Sequence, residues 1–73
     1  MIALTNLEAK VQAALELVNN TAGRVGSKEV MPVLESFKAA RAEGYLSGAG
    51  GEWRLSPRGR LALQAIREKA GIL

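Results

Sequence analysis

Apolar positions recur along this chain at helical spacing twice, give way to a short alternating stretch, and resume a helical period to the end. In the first run Leu7, Val11, Ala14, Leu15 and Val18 fall on one face, with Leu4 in line before them and Glu8, Ala9, Gln12 and Glu16 on the other side. That spacing predicts a helix over about residues 6–19 whose stripe is core. Thr5 and Glu8 form a capping-box pair able to satisfy two of the amides that open the helix. Asn19, Asn20 and Thr21 end it, because their side chains compete for backbone hydrogen bonds.

Residues 20–26 read as a connection with room for one helical turn. Gly23 and Gly26 are spaced too closely for a phosphate-binding loop, and no Gly-Lys-Ser/Thr follows. Ser27 suits an N-cap, and Val30, Val33, Leu34, Phe37 and Ala40 form the second stripe. Pro32 interrupts its start. Either residues 27–31 make a loose turn and Pro32 opens the helix, or the helix is kinked there. Arg41 falls within the stripe, so its stem is expected along apolar surface with the guanidinium reaching an acid or water. Gly44 is the expected stop.

The alternating stretch predicts a hairpin: Tyr45 to Ser47 as one strand, Gly48 to Gly51 as the turn, Glu52 to Leu55 as the return. Trp53 and Leu55 share one face of it, Glu52 and Arg54 the other, and Trp53 is expected to pack inside. Ser56-Pro57 then supplies an N-cap hydroxyl and a proline at the first helical position. The last helix is expected to reach about Ala70, with Gly71 as its stop. Ala62, Leu63, Ile66, Ala70 and Leu73 make its buried face, and Leu61, Ala65 and Ile72 add an apolar flank. Such width calls for a second partner, either the first helix or another subunit. The expected fold is α+β and mostly helical: helix, helix, two-stranded β-hairpin, helix, as one domain over residues 1–73.

Composition narrows the chemistry. The 73 residues include no cysteine and no histidine, and every acid is a glutamate. Disulfides, ordinary zinc sites and the usual nucleophile–base pairs are thereby excluded, so an enzyme is not expected, nor a cofactor or small-molecule ligand. A core of this size supplies roughly 3–5 kcal/mol without staples, which leaves dimerisation as a common remedy. No signal peptide or membrane-spanning run is evident, and the expected location is the cytoplasm. The net charge is +3, and it is unevenly placed. Residues 45–73 carry Arg54, Arg58, Arg60, Arg67 and Lys69 against only Glu52 and Glu68. A positive field concentrated at the hairpin and last helix suits a polyanion.

Two stretches carry a resemblance. Ala42-Glu43-Gly44-Tyr45-Leu46 and Leu55-Ser56-Pro57-Arg58-Gly59 are similar to the Glu-x-Gly-Leu-Ile and Leu-Thr-Pro-x-Gly sequences that flank the wing in winged-helix DNA-binding domains of bacterial regulators, in the style of the PadR and MarR families. Met31-Pro32-Val33-Leu34 resembles the start of the PadR recognition helix. The match spans roughly residues 30–62. It implies a recognition helix in the major groove, a wing on the backbone or minor groove, and a homodimer. It departs from the pattern in leaving scarcely any space for a separate helix ahead of Pro32, and in a second helix that carries Glu35 and Glu43.

Two functions are therefore expected as alternatives. One is a small double-stranded DNA-binding protein, a transcriptional regulator, with phosphate contacts at Arg54, Arg58, Arg60 and Arg67 and with Lys28 and Lys38 near the groove. The other is a non-catalytic protein-interaction module, a small inhibitor or adaptor of phage type, on the same scaffold.

Overall fold

The computed structural model describes residues 3–49 and 52–71, with Ser27 and Ala49 through their backbone only. The chain is α+β and mostly helical. Its elements are α1 (Asn6–Asn20), α2 (Ser27–Val30), a 3-10 turn (Met31–Val33), α3 (Leu34–Ala42), β1 (Leu46–Ala49), β2 (Glu52–Leu55) and α4 (Pro57–Ala70).

The first helix opens on the expected capping box. Thr5 Oγ1 accepts from the Glu8 amide at 3.1 Å, and the Glu8 carboxylate accepts from the Thr5 amide at 2.9 Å. Val11, Ala14, Leu15 and Val18 are buried as their spacing predicts, but Leu7 is exposed. The buried face begins one turn later, and Leu4 packs on the core from ahead of the helix instead.

The second helical segment combines both expectations for Pro32. A four-residue turn forms ahead of it, the proline is held in 3-10 geometry, and regular helix starts only at Leu34. Proline lacks the N–H that would continue an α-helix, and the tighter turn accommodates it. Val33, at φ −125° and ψ 27°, is where the backbone breaks from helical values. No loop separates α2 from α3. The amides of Glu29 and Val30 both donate to the Gly26 carbonyl, so the turn begins from Gly26. The Ser27 side chain, the expected cap, lies outside the described atoms.

Helix α3 crosses α1 closely. Phe37 and Ala40 are buried as expected, Val30 and Val33 pack on the core half-buried, and Leu34 is half-buried. Ser36 is buried with them, and its Oγ accepts from the Ala14 amide at 3.0 Å. A buried hydroxyl needs such a partner, and its small size lets the two backbones approach.

The hairpin is antiparallel, pairing Leu46 with Leu55, Ser47 with Arg54, Gly48 with Trp53 and Ala49 with Glu52. Its first strand is shifted from the expected Tyr45–Ser47, because Gly48 and Ala49 pair instead of turning. Gly50 and Gly51, the rest of the predicted turn, lie outside the described residues, as do Ile72 and Leu73. Burial along β2 alternates as predicted, with Trp53 and Leu55 inward and Glu52 and Arg54 outward.

A third segment joins the sheet unannounced by the sequence. The Trp53 amide donates to the Gly23 carbonyl at 2.9 Å, and Arg24 pairs opposite Glu52. This seats the α1–α2 connection against β2 and buries Val25. Helix α4 then returns across the core with Leu63 and Ile66 buried. Two ion pairs tie it to α1: Arg67 with Glu16 at 2.7 Å and Lys69 with Glu8 at 2.7 Å. Helix α4 packs against α1, while Leu61 of the expected apolar flank stays exposed.

Candidate nucleic-acid interface

The junction from β2 into α4 is built by a short set of bonds. Ser56 Oγ accepts from the Gly59 amide at 3.0 Å, capping α4, and donates to the Gly44 carbonyl at 2.5 Å. The Ser56 amide donates to the Tyr45 carbonyl at 3.0 Å. One serine therefore fixes the end of α3, the lead into β1 and the start of α4. The first turn of α4 holds no acid, and it carries Arg58 and Arg60 where a helix dipole disfavours cations.

Arg54 and Arg60 meet at this junction. Both line a shallow depression of about 250 Å³ with Val18, Asn19, Gly23 and Leu55. A neighbouring depression of about 210 Å³ shares Asn19, Leu55 and Arg60 with it and continues along α4 to Gln64 and Arg67. The two form one trough between the end of α1 and the start of α4. Among the described residues, no carboxylate lies within 4.0 Å of the Arg54 or Arg60 guanidinium.

The other predicted contacts are placed differently. Arg67 borders the trough, but both its Nε, at 2.9 Å, and a terminal nitrogen are taken by Glu16. Arg58 is exposed with its guanidinium 5.8 Å from the Tyr45 ring centre, within cation–π range. Lys28 is exposed on α2. Lys38 lines a further hollow of about 240 Å³ with Val30, Leu34, Phe37, Arg41 and Trp53, of which Trp53 also borders the trough, and reaches Glu35 at 3.9 Å across one turn. The six cations thus do not share one surface: Arg54 and Arg60 come together, with Arg67 beyond them.

Sequence reasoning passed over Asn19 in the trough and Arg24, which is exposed on the strand-like segment beside β2. A single paired residue has no period to show. Arg41 is exposed, in line with a guanidinium that reaches water, and it also stands 5.8 Å from the centre of the Trp53 ring. Trp53 itself meets Phe37 edge-on, at 5.2 Å and 64°.

The titration of Glu8 is displaced. The Lys69 ammonium, donating to the Glu8 carboxylate at 2.7 and 2.9 Å, holds that carboxyl below its ordinary value, and the Thr5 amide adds to the effect. Among the described residues no three acids gather where they would hold a metal ion, and no helix is long and apolar enough to cross a membrane. Comparison with protein families, curated proteins and solved structures finds no match for this chain.

Proposed function

We propose that this chain binds double-stranded DNA, taking backbone phosphates at Arg54 and Arg60 and extending along Arg58, in the manner of a small transcriptional regulator. The observation that carries this reading is the pairing of Arg54 and Arg60 in one trough with no carboxylate partner among the described residues. Guanidinium forks match phosphate oxygens in charge and geometry. The resemblance to winged-helix domains supports the same assignment, since it makes β1–β2 the wing and α3 the helix beside the groove, with Lys28 and Lys38 near it. Arg67, already held by Glu16, contributes field more than contact. The order of elements is compatible with that shape, and dimerisation on DNA belongs to the same proposal.

The test is fluorescence anisotropy with a labelled duplex. Replacing Arg54 or Arg60 with alanine is expected to weaken binding to all sequences alike and to reduce the salt slope by about one each. Unchanged affinity in the double variant would refute the placement.

A further inference from the structure

We propose that the hollow between α3 and Trp53 is a docking site for an acidic amphipathic segment of a partner protein, lined by other cations than the Arg54–Arg60 trough although Trp53 borders both and Lys38 also stands near the groove in the DNA reading. Its floor is apolar. Val30, Leu34 and Trp53 are half-buried there beside Phe37, so these groups are packed on one side and open on the other. Met31, next along the chain, is 66% exposed. Its volume of about 240 Å³ lies below the roughly 300–1,000 Å³ of small-molecule pockets, and suits one or two inserted side chains.

The rim supplies the charge that selects the occupant. Lys38 and Arg41, one turn apart on α3, both line the hollow. Arg41 is anchored over the Trp53 ring, which keeps its charge at the edge without a carboxylate within 4.0 Å among the described residues. Lys38 meets only Glu35, at 3.9 Å with both side chains largely exposed, a pairing that a better-placed carboxylate displaces at little cost. An apolar floor under a cationic rim fits a helical segment whose two apolar anchors lie at i and i+4 and whose flanks are carboxylates.

Trp53, the chain's only tryptophan, borders both the hollow and the trough, so its emission reports binding and the amide shifts assign the place. The probe is a pair of synthetic peptides with leucine and phenylalanine at those anchor positions, one with glutamate elsewhere and one with lysine. The glutamate peptide is expected to give a saturable emission change at submillimolar concentration, at least about tenfold tighter than the lysine peptide. Amide shifts should centre on Leu34, Lys38 and Arg41. The exposed pair of substitutions Lys38→Gln and Arg41→Gln should weaken the glutamate peptide at least about fivefold, with an unchanged circular dichroism spectrum. Equal binding of the two peptides, no saturable change, or shifts centred on Arg54 and Arg60 would overturn the proposal. The Arg54→Ala/Arg60→Ala variant should keep full peptide affinity, so loss of duplex binding and loss of docking are separately visible.

Discussion

Gly59 lies in the first turn of α4, where alanine is ordinarily worth about 1 kcal/mol over glycine. Here the backbone of Tyr45 occupies the place a Cβ would take, because its carbonyl receives the Ser56 amide. Gly59→Ala is therefore expected to destabilise by about 1–3 kcal/mol, measured by urea unfolding. A stabilised variant would contradict the close approach. Glu8 gives a second expectation. Its folded-state pKa is lowered chiefly by Lys69, so its contribution is fully present above the ordinary value of 4.5 and is lost as pH falls through the folded value. Glutamine keeps the capping oxygen but loses the charge. Glu8→Gln should thus melt below wild type at neutral pH, with the difference closing in acid. At this scale the sequence was legible where a residue acts locally: Thr5, Ser56 and Gly71 cap helices as their identities dictate. It was illegible where a distant partner decides, as with exposed Leu7, buried Ser36 and Arg41 on Trp53.

Among elements, the helices with a full apolar stripe and good caps emerged within a residue or so of their predicted bounds. The segment around Pro32 was readable only as two alternatives, since a proline marks a break without choosing between a turn and a kink. The first strand of the hairpin differs from its expected bounds because Gly48 and Ala49 pair with Trp53 and Glu52, a pairing their own weak strand preference does not announce. The third pairing of the sheet had no signature at all. It depends on Gly23, whose φ of +85° and contact with the Trp53 backbone leave no room for a side chain. Gly23→Ala is expected to cost about 1–3 kcal/mol and to speed hydrogen exchange at the Trp53 amide more than at Val11 or Ile66. Uniform exchange across these three amides would mean that the connection is not a separate contact.

Across the whole molecule, the cations divide by what they do. Arg67 and Lys69 hold α4 to α1, Arg41 and Lys38 edge the hollow on α3, and Arg54 and Arg60 face outward together at the trough. The uneven charge was visible in the sequence, but this division was not, because pairing with Glu8 and Glu16 joins residues far apart in the chain. The longest dimension, 36 Å, is close to one turn of duplex DNA, about 34–36 Å, so under the proposed function one copy would span roughly a single turn. The most direct test of the proposed function is the salt dependence of binding to a labelled duplex spanning two such turns. Micromolar or tighter affinity at low salt is predicted, falling with a log–log slope of about −2 to −4 for a few phosphate contacts. Absent binding, or binding indifferent to salt, would contradict it.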